Sequence, residues 1–236
     1  MLDQRRIAVG GVGFDPLDDV DLAARLRAAL TAGTGGWATL PDLDFLFRAT
    51  GDALARAALG TADLVVASGT TLALASRLAG AALPVSSGSA LIWAALAGLR
   101  GDGRSVYLLG GEPEGQGRRE GAHQAASVLS FACPGIIIAG HASPAVDTEA
   151  EQGEIDAICG EIVDAAPDVV LVGLDLARQA WLATHLRSRL PRTWFLGMAG
   201  AIEMLVGGGS AARRRRDRRP AATTVAKVLA RAAVRR

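Results

Sequence analysis

Three glycine clusters each stand beside residues able to handle an anion or a hydroxyl. The first, 10-GGVGFD-15, lacks the third glycine of a dinucleotide fingerprint before the helix signature that opens near Asp18, so tight-turn packing is favoured over a nicotinamide cofactor. The second lies in 106-VYLLGGEPEGQGRREGA-122, where Gly110 and Gly111 follow an apolar run directly and precede a segment rich in small residues. Such glycines let the backbone approach a phosphate, and the next helix can offer its first amides. There is no GxxxxGK[ST], so this is not a P-loop, and a plain glycine turn is the alternative. The third is 170-VLVGLDLARQAW-181, in which Gly173 leads to Asp175, Arg178 and Gln179. An arginine at a helix start can clamp a diphosphate as a bidentate fork, or can simply be solvated. Asp175 can bind a ribose or cap the helix. His141 and Ser143 follow a further strand end in 139-AGHASP-144, where an imidazole can serve in an active site or be simply a satisfied loop residue.

The elements that must hold these residues are legible as short apolar runs alternating with Ala/Leu-rich stretches at helical period. Strands are predicted over 6–10, 36–40, 63–67, 105–109, 135–139, 168–173 and 193–197. Helices are predicted over 18–33, 43–59, 72–78, 90–99, 117–129, 149–165 and 178–190. Most of the strand runs are continuously apolar, as in strands covered on both faces. The pattern predicts an α/β fold: a mainly parallel, Rossmann-like sheet with helices on both faces, whose ligands bind at the carboxyl ends of the strands.

The chain has 236 residues, half of them hydrophobic and 21% charged, which is core-forming material and not a disordered chain. Cys133 and Cys159 fit neither a metal spacing nor a disulfide framework, and the three histidines are scattered, so no metal site is expected. The N-terminus lacks the apolar run of a signal peptide, and a soluble, cytoplasmic protein is expected. The net charge of +1 conceals an asymmetry. Residues 213–236 hold nine Arg and one Lys against one Asp, a local charge of +9 beside a body of −8. The expected organisation is one domain over residues 1–208 and an Arg-rich C-terminal extension over 209–236, whose last 16 residues can form a short basic amphipathic helix. The Arg213–Arg219 run suits an anionic membrane surface or a solvated tail. An acidic body without interleaved aromatics argues against nucleic acid.

Taken together, the blocks resemble the WecG/TagA/CpsF family of bacterial glycosyltransferases from about Ile7 to Gly208. The carrying blocks, in order, are 11-GVGFD-15, 108-LLGGEPEG-115, 134-PGIIIAG-140, 167-PDVVLVGLDLARQAW-181 and 197-GMAGAIEMLVGG-208. The resemblance implies a hexosyltransferase that moves an N-acetylhexosamine from a UDP-sugar to a small-molecule or lipid-linked acceptor, inverting and with neither metal nor cofactor. It also implies a basic appendage that helps membrane association, placing the protein peripherally at the inner face of the cell membrane. Homo-oligomers occur in the family and are a further expectation.

Departures from the family pattern fall where chemistry should be. The block that holds the family's catalytic aspartate reads 62-ADLVVASG-69, with Ser68 in its place. Asp42 stands where the family has an upstream asparagine, and Ala90 replaces the aspartate of another element. Gln179 is kept, Arg178 replaces a lysine, Ala177 and Ala180 replace Pro and Glu, and Glu203 replaces an aspartate. The expected site therefore comprises Asp42, Ser68 and His141 for chemistry, and Gly110, Gly111, Gly173, Asp175, Arg178, Gln179 and Glu203 for substrate. A serine cannot take an acceptor's proton without a base of its own, whereas Asp42 can substitute as that base. The alternative is a divergent member that has lost sugar transfer, either a pseudoenzyme or an enzyme repurposed for another small-molecule reaction in secondary metabolism.

Overall fold

The computed structural model describes residues 6–49, 53–78, 80–84, 86–113, 120–145 and 151–207. Along the chain run β1 (Ile7–Val9), β2 (Val12–Phe14), α1 (Asp19–Thr31), β3 (Gly36–Thr39), α2 (Leu43–Ala49), α3 (Ala53–Gly60), β4 (Leu64–Val65), α4 (Thr70–Leu78) and α5 (Gly88–Ala97). They continue as β5 (Ser105–Leu109), α6 (Gly121–Ala132), β6 (Ile137–Ala142), α7 (Glu151–Ala165), β7 (Val169–Val172), α8 (Leu176–Leu186), β8 (Trp194–Gly197) and α9 (Ala201–Gly207). Six strands form one all-parallel sheet in the order β4-β3-β8-β7-β5-β6. The expected α/β fold is thus present. The expected basic C-terminal extension and its amphipathic helix lie outside the described residues.

Burial on both faces explains the unbroken apolar runs. Val169–Val172 and Trp194–Gly197 are buried at every position. One core packs α2, α3, α7 and α8 on alternate strand residues such as Tyr107, Val170 and Phe195. The other packs α1, α5, α6 and α9 on the opposite set, including Val106, Leu171 and Leu196. Asp18 opens α1 with a capping box shared with Asp21, and Ser87 caps α5 through the Ala90 amide.

Three local expectations are corrected. The run predicted as a strand over 6–10 belongs to an antiparallel hairpin, β1 with β2, outside the parallel sheet. Gly10 and Gly11 turn it at φ 59° and 82°, left-handed conformations that suit a tight two-residue hairpin loop and bear out the tight-turn reading of the first glycine cluster. Asp15 then bridges Val66 in parallel, so the hairpin extends the sheet at its β4 edge. The helix predicted over 43–59 is found as α2 and α3, with residues 50–52 outside the described ones. The short α9 has no counterpart among the predicted helices.

Candidate functional site

The strand carboxyl ends gather Ser68 after β4, Asp42 after β3, Glu203 in the first turn after β8, Gly173 after β7 and Gly110 after β5, in that order across the sheet. The β7 strand leads to α8 on one face and β5 to α6 on the other, so the two diverge at a topological switch point. Gly110 and Gly173 meet there backbone to backbone. The Gly173 amide donates to the Leu109 carbonyl at 2.6 Å, and a Cβ on Gly110 would come within 3.0 Å of the Gly173 Cα. Gly110 and Gly111 have φ of 119° and 89°, a region closed to side-chain-bearing residues without strain. Beneath them sits Ile202, which a Cβ on Gly111 or on Gly173 would approach to 2.8 Å.

Several amides here already have partners. Gly110 N–H donates to the Ala142 carbonyl, Gly121 N–H to the Glu112 carbonyl at 2.8 Å, and Ala122 N–H to Ser143 Oγ at 2.9 Å. Ser143 in turn donates to the Gly110 carbonyl at 2.7 Å. The expectation that the first amides of α6 await an anion is therefore corrected for Gly121 and Ala122, because closing the glycine turn engages them.

Asp175 caps α8. Its Oδ1 accepts the Arg178 amide at 3.1 Å and its Oδ2 pairs with the Arg178 guanidinium. The capping alternative for Asp175 holds, and the guanidinium rests on its own cap. Gln179 is only 2% exposed. Its Oε1 accepts the Thr39 hydroxyl at 3.0 Å and its Nε2 donates to the Leu174 carbonyl at 2.7 Å. The side chain fills the space over Gly197, where a Cβ would lie 2.2 Å from Oε1. It braces α8 against β3 and β8.

Asp42 and Ser68 are brought together, as expected, at the ends of adjacent parallel strands. The Ser68 amide donates to the Pro41 carbonyl at 2.9 Å. Its hydroxyl donates to the Leu40 carbonyl at 3.0 Å, and the residue is 3% exposed. Asp42 is half-buried and caps α2, its Oδ1 accepting the Phe45 amide at 2.8 Å. Glu203 is half-buried, with a buried Oε2 that has no hydrogen-bond partner.

His141 is not brought to this group. It lies on β6 at the far edge of the sheet, its Nε2 3.3 Å from His123 Nδ1 and its Nδ1 3.4 Å from Glu120 Oε2. Sequence reasoning missed this trio and also missed Thr39. The one available signal for Thr39 is a hydroxyl ending the otherwise apolar strand 36-GWAT-39. Among the described residues, no group of three or more His, Cys, Asp or Glu side chains is arranged to hold a metal ion. Nor is any helix among them long and apolar enough to cross a membrane.

A doubly wound α/β sheet with glycines at its switch point and carboxylates along neighbouring strand ends defines a class of proteins that bind small ligands at the strand carboxyl edge. The chain belongs to the glycosyl transferase WecG/TagA/CpsF family, whose model matches residues 7–220. A search among curated proteins finds no match. Family membership assigns glycosyltransferase activity in general, with a sugar donor and an acceptor as substrates.

Proposed function

We propose that the protein transfers an N-acetylhexosamine from a UDP-sugar to a small-molecule or lipid-linked acceptor, with inversion and without a metal ion. The observation that carries this reading is the family match over residues 7–220, together with the strand ends at Gly110 and Gly173, which carry no side chain and pack backbone to backbone at the switch point. The diphosphate lies at those strand ends, with Arg178 exchanging Asp175 for a phosphate oxygen. The acceptor is activated where Asp42, Ser68 and Glu203 line the neighbouring strand ends. Work on a lipid-linked acceptor takes place at the cytoplasmic face of a membrane, to which the Arg213–Arg219 run is attracted.

Calorimetry with UDP, with UDP-N-acetylhexosamines and with NAD as comparison ligand tests the donor half. Micromolar UDP binding supports it, and absence of nucleotide binding refutes it. One observation favours a second reading, a member turned to another task. The hydroxyl of Ser68, in the place of the family's catalytic aspartate, is bound to a backbone carbonyl and is buried. Ser68→Asp separates the two. Raised sugar turnover indicates a weakened transferase, and unchanged turnover indicates a pocket with different work.

A further inference from the structure

We propose that Glu203 is the general base of the transfer, an assignment that rests on the glycosyltransferase reading above. Three groups at the ends of β4, β3 and β8 compete for that role. The Ser68 hydroxyl is a donor to the Leu40 carbonyl and has no basicity to offer. Asp42 already accepts the Phe45 amide and so is engaged in holding the start of α2. Glu203 differs from both: its Oε2 is buried and accepts nothing.

A carboxylate oxygen kept from water with no donor is costly to the fold, and such costs are retained where a ligand supplies the missing donor. Position agrees with this. Glu203 follows β8, which lies between β3 with Asp42 and β7 with Gly173. Its Oε2 lies beside Gly200, three residues past the end of β8, where a Cβ would stand 3.8 Å from it. In this proposal the diphosphate sits at the Gly110 and Gly173 strand ends and the anomeric carbon at the end of β8.

The step balances without a further reactant. The acceptor O–H gives its proton to Glu203 Oε2 while its oxygen bonds to the anomeric carbon. The bond from that carbon to the diphosphate oxygen breaks, and UDP leaves with the electron pair. Glu203 then returns the proton to solvent.

The test uses the full chain and UDP-N-acetylhexosamine with water as acceptor, reading UDP release and, separately, UDP binding by calorimetry. Glu203→Gln is expected to lower kcat by roughly 10²- to 10⁴-fold, the usual weight of a general base, with KM and UDP affinity within about threefold of wild type. It should also remove the acidic limb of the kcat–pH profile, and formate should restore part of the turnover of Glu203→Ala. Retained turnover in Glu203→Gln overturns the assignment, as does a loss carried by UDP affinity or one seen in Asp42→Asn instead. Wild type that binds UDP but releases none from its sugar overturns the base alone. Wild type that binds no UDP removes the glycosyltransferase reading and the base with it.

Discussion

Replacing Gln179 with leucine keeps the bulk of the side chain and removes its amide. The Thr39 hydroxyl loses its acceptor and the Leu174 carbonyl loses its donor, both in the interior. Each buried polar group stranded in this way costs about 1–3 kcal/mol, and rotation of the threonine hydroxyl toward another acceptor trims the sum to about 2–4 kcal/mol. For a chain of this length, each kcal/mol moves Tm by about 2–4 °C, so thermal unfolding followed by circular dichroism should show a fall of roughly 4–16 °C. A double-mutant cycle with Thr39→Val should recover part of the loss, because it removes one of the two stranded groups, with a coupling of about 0.5–3 kcal/mol. A Gln179→Leu protein as stable as wild type but unable to bind UDP would refute the reasoning. It would show the amide facing ligand and not bracing α8.

Other consequences are open to equally direct checks. Burial alone would raise the Asp168 carboxyl, but the amide and hydroxyl of Ser105 and the guanidinium of Arg104 hold it below its ordinary value. Its contribution to stability is therefore present above about pH 4, the value of an unfolded Asp, and is lost as pH falls through the depressed folded value. Asp168→Asn should lower the urea midpoint at neutral pH and flatten its acid dependence. Burial, reinforced by the hydrogen bond to Glu161, raises the Tyr107 phenol. The stabilisation is complete below about pH 10 and is lost as pH rises beyond it toward the folded value. Tyr107 is the only tyrosine, so phenolate absorbance should appear in step with alkaline unfolding and not before it. Gly110→Ala should cost at least about 2 kcal/mol, from its positive φ and from a methyl pressed on the Gly173 backbone, read as a lower denaturant midpoint.

The alternation of strand and helix was legible because a strand buried on two faces must be apolar throughout, as 169-VVLV-172 is. The adjacency of Asp42 and Ser68 was legible too, through the family pattern. Strand order was not. Nothing local to 137-IIAGHA-142 says that β6 is an edge, and that placement is what separates His141 from the carboxylates. The role of Gln179 was hidden for a similar reason, since its partner Thr39 lies 140 residues away. Its neighbour Asp175 was easier to read, because a cap and its amide are three residues apart. Helix α9 is only seven residues long and three of its residues face the core, too short a run for periodicity to stand out.

The strand order also dictates when the protein can become whole. As the chain leaves the ribosome, β3 can pair with β4, and β5 can gather β6 and then β7, each ladder closing on its own. The gap between the two ladders is one strand wide, and the strand that fills it is β8, the last of the sheet to be made. Until residue 197 has emerged, Thr39 and Val172 have no Gly197 between them, and the two halves remain separate bodies with open edges. Such late, long-range closure makes for slow folding. A nascent chain stopped before Trp194 should expose both edges to proteases, however complete its helices are.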